Sequence, residues 1–180
     1  MKLGLMGLAG GVAFAALACS KAQEQRAGAD KALEENRNAE ARMNLGEIAK
    51  AMRAAFEEER MTSGTLAAGQ SAEIKHELCG STSKPVPESL ADVDGKKYQS
   101  SVSEWKVDAA RNAGFACLKF NLPSPQYFQY EVKSDPSRGE FTAYARRPVG
   151  GEILELSISG KVQSGVLNVA PSIGETRKPR

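Results

Sequence analysis

Chemistry in this chain has to come from few side chains: the thiols of Cys19, Cys79 and Cys117 and the imidazole of His76, the only histidine. A catalytic base needs a group to activate, and His76 sits in EIKHELC without a Gly-x-Ser-x-Gly elbow, a phosphate-cradling P-loop or an HExxH pair in the chain. It reads as a surface residue. No two cysteines are spaced as CxxC, so neither a redox dithiol nor a zinc knuckle is indicated. Asp92 and Asp94 in ADVDGKK read as a turn, and two carboxylates are too few for a hard cation. Glu57, Glu58 and Glu59 read as a solvated helix end, and Trp105, the only tryptophan, as a packing residue. Tyr127 and Tyr144 fall opposite the apolar positions of their segments, where an exposed aromatic is a candidate ligand contact. The inventory implies a non-enzymatic protein with no catalytic residue, metal or cofactor, and it leaves any ligand site unassigned.

Cys19 is set apart by what precedes it. Met1 and Lys2 supply positive charge, residues 3–18 are uncharged and mostly apolar or small, and Ala16-Leu17-Ala18-Cys19-Ser20 follows. That order is a bacterial export signal, and it admits three readings. A lipoprotein signal is cut just before a cysteine that carries lipid. Ala16-Leu17-Ala18 also satisfies the small-x-small rule of plain secretion, and residues 3–18 are a little short for the ~20 residues of a retained span. The cysteine count favours the first. An exported protein lives where disulfides persist, and three cysteines leave one over. With Cys19 lipidated, Cys79 and Cys117 can pair; the alternative is two buried free thiols. A bond closing their loop stabilises a fold by roughly 3–4 kcal/mol in the chain-entropy model. Two or three acyl chains on one cysteine hold a protein firmly to a membrane. Ser20 in place of Asp argues against inner-membrane retention, so the expected place is the cell envelope, at the outer membrane, on its periplasmic or surface side.

Removing residues 1–18 leaves a length that suits one domain and a spacer. The charge, 24 basic against 22 acidic residues, implies neither nucleic acid nor an anionic lipid surface as partner. Residues 19–42 have Leu33 as their only large apolar side chain, which suits either a solvated helix or a partly disordered tether. Lys31 and Glu35 could support the helix locally. In 43–60, Leu45, Ile48, Met52, Ala55 and Phe56 recur at helical spacing, with Thr62-Ser63-Gly64 as the stop. Residues 64–104 are irregular, broken by Gly69, Gly80, Pro85, Pro87 and Gly95.

The period then becomes two. Apolar residues alternate in GFACLKF (Ala116, Leu118, Phe120), QYFQYEV (Phe128, Tyr130, Val132), EFTAYAR (Phe141, Ala143, Ala145) and EILELSIS (Leu154, Leu156, Ile158). Val166, Leu167 and Val169 make a last patch, with Pro and Gly clusters, Gly160 among them, as separators. The expected fold is α+β: an N-terminal helix packed on an antiparallel sheet of four to five strands, the domain running over 43–175 and a basic tail over 176–180.

These elements in this order resemble a known family. The helix ARMNLGEIAKAMRAAFEEE, a Cys-bearing loop, Trp105-x-x-Asp108, Gly114-Phe115, then PQYFQYEV, FTAYA and Gly165-Val166-Leu167 through Ile173 are similar to pilin-like proteins of myxobacteria, related to type IV pilins and pseudopilins. The resemblance covers about 43–175 and implies a pilin-like fold with pilus or secretion-system proteins as partners. Two departures shape the expectation. The Gly-Phe cleavage site, the early glutamate and the long apolar helix of a pilin are replaced by a lipoprotein-type signal, so the chain is expected not to polymerise. Where relatives have an acidic, glycine-rich loop like a calcium site, this chain reads Arg146-Arg147-Pro148-Val149-Gly150-Gly151-Glu152, and no calcium is expected there.

Overall fold

The structure, a computed structural model, describes residues 11–58, 60–61 and 74–180. It divides into two units, Met1–Ala39 and Glu40–Arg180. Helix α1, Gly11–Glu57, runs through the boundary. In the first unit the spacer is helical, with most side chains of 25–39 in solvent and Lys31 4.0 Å from Glu35. The helical alternative is therefore the one realised, consistent with an Ala- and Glu-rich composition that costs little to coil. Among the described residues no helix is long and apolar enough to cross a membrane.

The second unit starts three residues before the expected domain edge, because Glu40, Ala41 and Arg42 are tied into it. Ala41 is fully buried, Glu40 accepts the Tyr127 backbone N–H at 3.0 Å, and Arg42 pairs with Glu175 at 2.7 Å. The apolar stripe behaves as its spacing requires: Leu45, Ile48, Met52, Ala55 and Phe56 are all buried. The helix ends at Glu57, and the expected Thr62-Ser63-Gly64 stop lies outside the described residues. A short antiparallel pair follows, β1 (Arg60–Met61) with β2 (Ile74–Lys75).

The sheet is antiparallel and five-stranded: β3 (Gln129–Asp135), β4 (Glu140–Val149), β5 (Glu152–Gln163), β6 (Val166–Val169) and β7 (Gly174–Pro179). β3, β4, β5 and β6 lie side by side, and β7 pairs with the first half of β5 while β6 pairs with its end. Phe128, Tyr130, Val132, Phe141, Ala143, Ala145, Leu154, Leu156 and Ile158 form one buried set with the helix stripe. An α+β domain, with the helix packed on one face of the sheet, is the result. The outer edge of β3 is covered by the irregular segment before it. Val86 exchanges backbone bonds with Tyr130, at 2.9 and 2.8 Å, and Thr82 donates to Val132 at 2.9 Å. Such cover removes an edge on which other strands could template.

Three expectations are corrected. GFACLKF is not a strand: Gly114–Cys117 is a helical turn, α3, with Leu118 donating to Gly114 at 3.2 Å. Gly114, Phe115, Cys117 and, just after the turn, Leu118 are buried, while Ala116 is only partly buried. A short apolar run fits both periods, and here the positive φ of Gly114 and its bond to the Gly80 carbonyl select the turn. Gly160 does not separate strands. It sits within β5 opposite Phe141, whose ring occupies the space of a side chain there: a Cβ would lie 2.3 Å from Phe141 Cε1. The basic tail 176–180 does not lie beyond the domain, since 176–179 belong to β7, and, as a solvated segment should, it has every residue of that strand exposed.

Candidate functional site

Cys79 and Cys117 are bonded, with Sγ atoms 2.05 Å apart and Cα atoms 5.8 Å apart. Both are buried, so the bond ties the irregular segment to α3 inside the core. The same core holds Trp105, 1% exposed, at the end of the short helix α2 (Val102–Trp105). Phe115 and Phe120 meet its ring edge-on, at centroid distances of 4.8 and 5.5 Å. Its indole N–H donates to Ser100 Oγ at 2.8 Å, and Ser100 in turn donates to Gln126 Oε1 at 3.3 Å. Glu104, within α2, closes its capping box, accepting from the Ser101 backbone N–H and the Tyr98 hydroxyl, each at 2.6 Å. The bond to Glu104 pushes the Tyr98 phenol up to about 12.

Asp108 completes this hub. Its buried carboxylate accepts the Ser83 N–H at 2.9 Å and pairs with Arg111. Burial pushes the carboxyl up, but Ser83 and Arg111 together outweigh it and hold Asp108 below its ordinary range. Gly114 passes so close that a Cβ would lie 2.9 Å from Asp108 Oδ2 and from Thr82 Cα. Trp105-x-x-Asp108 and Gly114-Phe115 thus form one packing device. Because the native pKa is lowered, the stabilisation from Asp108 is complete above the unfolded value, near 3.9, and is lost as pH falls through the native one. Asp108→Asn should lower stability by about 1.5–3 kcal/mol above about pH 5. Urea midpoints of both proteins should converge in acid; a gap independent of pH would argue against this role.

The densest polar network lies on the sheet face away from the helix. Arg146 on β4 stands between Glu131 on β3, at 2.5 Å, and Glu155 on β5, at 2.6 Å. Lys178 on β7 reaches Glu155 at 2.8 Å, and Lys133 lies 3.8 Å from Glu131. The Tyr144 ring packs beneath the Arg146 guanidinium, 4.4 Å from centroid to Cζ. Burial alone would weaken the charge on Arg146, and the two carboxylates more than compensate, raising its pKa. Burial likewise pushes Glu155 up, and Lys178 and Arg146 bring it below the carboxylate range. Two carboxylates thus stand among three cations, each paired within the ladder.

A second surface is a groove of about 450 Å³ beside the helix, with Ala51, Ala54, Phe120 and Leu122 as its apolar lining and Lys50 and Lys119 at the rim. Asn44, also on its wall, donates to the buried Tyr130 hydroxyl at 2.7 Å, joining helix to sheet. Glu47 and Asn121 complete a lining that mixes apolar and polar groups.

The other residues singled out in the sequence are scattered. His76 packs on Phe56, centroids 5.8 Å apart, with Nδ1 3.0 Å from the Phe56 carbonyl at the helix end. Asp94 pairs with Arg180 at 2.8 Å, and Asp92 belongs to the turn Leu90–Val93. Glu58 pairs with Lys119 at 2.6 Å, and Glu59 lies outside the described residues. Tyr144 faces outward as expected. Tyr127 does not: it precedes β3, packs against the rim of the core and carries Lys97 Nζ 4.8 Å above its ring. The stretch 146–152 is the end of β4, a Gly150-Gly151 turn and the first residue of β5. Among the described residues no group of three or more His, Cys, Asp or Glu is placed to hold a metal. Cys19 falls in α1, and its side chain lies outside the described residues. The ladder Glu131–Arg146–Glu155–Lys178 was missed by motif reading; its signal was charge at the outward positions of apolar-alternating strands.

Compared with protein-family models, with curated proteins and with solved structures, the chain matched none.

Proposed function

We propose that this chain is an envelope lipoprotein, acylated at Cys19, whose pilin-like domain serves as a binding or assembly module and does not itself polymerise. In this reading it sits at the outer membrane and its partners are components of a pilus or secretion apparatus. The observation that carries the proposal is the division of the three cysteines. Cys79 and Cys117 are joined inside the core, which suits an exported chain, and Cys19 is the thiol left for lipid, directly behind Ala16-Leu17-Ala18. The pilin-like part rests on the sequence resemblance, and a helix laid on an antiparallel sheet with a stapled loop is compatible with it. A second reading keeps the anchor and drops the machine: a structural surface lipoprotein. The ladder around Arg146 favours it, since charges already paired with one another attract charged partners weakly.

Cys19→Ser, or inhibition of the lipoprotein signal peptidase, should remove the acyl chains from the N-terminal mass and release the protein from the membrane fraction. A wild-type N-terminus without acyl chains would refute the anchor. Pull-down from detergent-solubilised envelopes separates the two readings. Recovery of filament or secretion components supports the first, and their absence leaves the second.

A further inference from the structure

We propose that β7 is an ion-latched edge strand that detaches from β5 while the rest of the sheet stays folded. Its six residues are all exposed, and none belongs to the core. The strands β3 and β4, by contrast, each bury alternate side chains. What holds β7 is a backbone ladder, from Glu152 opposite Pro179 to Ser157 opposite Gly174, and charge. Glu175 pairs with Arg42 at 2.7 Å, Arg177 with Glu152 at 3.7 Å and Lys178 with Glu155 at 2.8 Å, while Arg180, just beyond the strand, pairs with Asp94 at 2.8 Å.

Each of these pairs has at least one member well exposed, so salt screens them all together. Losing β7 costs the core no apolar side chain, and β5 remains paired with β4 from Glu152 to Lys161. Ile173, partly buried against the core, is the last apolar anchor before the strand, and Gly174 follows it as a natural pivot. Detachment bares the backbone of β5 over Glu152–Ser157. One edge of the sheet thus alternates between a closed state and a pairing-competent state, with ionic strength as the control.

Hydrogen exchange of the full chain, read by mass spectrometry, tests this. Amides of 174–180 should exchange faster than those of 129–149. Raising NaCl from about 0.05 M to about 0.5 M should accelerate the former about tenfold relative to the latter. The double variant Glu175→Gln, Lys178→Gln should reproduce that acceleration at low salt with the exchange of 129–149 unchanged. Equal protection of both segments would overturn the proposal, because β7 would then open only with the whole domain. Faster exchange of β7 without a response to salt or to the variant would overturn the ionic latch.

Discussion

Trp105→Ala should lower the unfolding free energy by about 3–5 kcal/mol. The side chain is almost wholly buried, and its removal vacates the space between Phe115 and Phe120 and leaves Tyr130 without a ring that now lies 6.4 Å away. It also takes from Ser100 the donor that orients it toward Gln126, whose amide bonds the Val86 and Phe128 carbonyls at 3.1 and 3.0 Å. The damage should reach the segment that covers the β3 edge. Because Trp105 is the only tryptophan, the measurement is urea unfolding followed by circular dichroism. Trp105→Phe should cost less, keeping the aromatic contact and losing the indole N–H. A change below about 1 kcal/mol for the alanine variant would mean that the hub does not support the core.

Removing the disulfide should cost nearly as much. With Cys79 and Cys117 separated by 38 positions, the chain-entropy model puts the loss at about 4 kcal/mol for the double alanine variant. The sulfurs are buried, so a reductant should act on the native protein only after it opens, and reduction should track unfolding in a denaturant series. Rapid reduction in native buffer would contradict that placement. Trp105 packs on Phe115, which shares the turn α3 with Cys117, so combining the changes should depart from additivity. A triple variant that loses the plain sum of the two effects would show that bond and ring act separately.

Much of the domain was legible in advance because side-chain direction follows from local geometry. Leu45, Ile48, Met52 and Phe56 repeat with the helix, and Phe128, Tyr130 and Val132 with the strand, so each set had to face one way whatever it met there. The α+β class followed from the order of those periodic segments, and a Cys79–Cys117 pair from the cysteine count and the export signal, with two free thiols as the alternative. The charged ladder was legible only in outline. Alternation puts Glu131, Arg146 and Glu155 on the outward face, but their meeting depends on the register that sets Gln129 opposite Arg146 and Arg146 opposite Glu155.

The sequence by itself determined the apolar stripe of the helix and the inward faces of β3, β4 and β5. Tertiary structure decided which segments completed the sheet. GFACLKF alternates well enough for a strand, yet the disulfide, Trp105 and the tight passage of Gly114 past Asp108 hold it as a turn. GETRKP has no apolar alternation to read, yet it is a strand, because β5 has an open edge there and backbone pairing asks nothing of side chains. Periodicity reports burial. Where an element is held by its backbone and by surface charge, only the partner, distant in sequence, can reveal it.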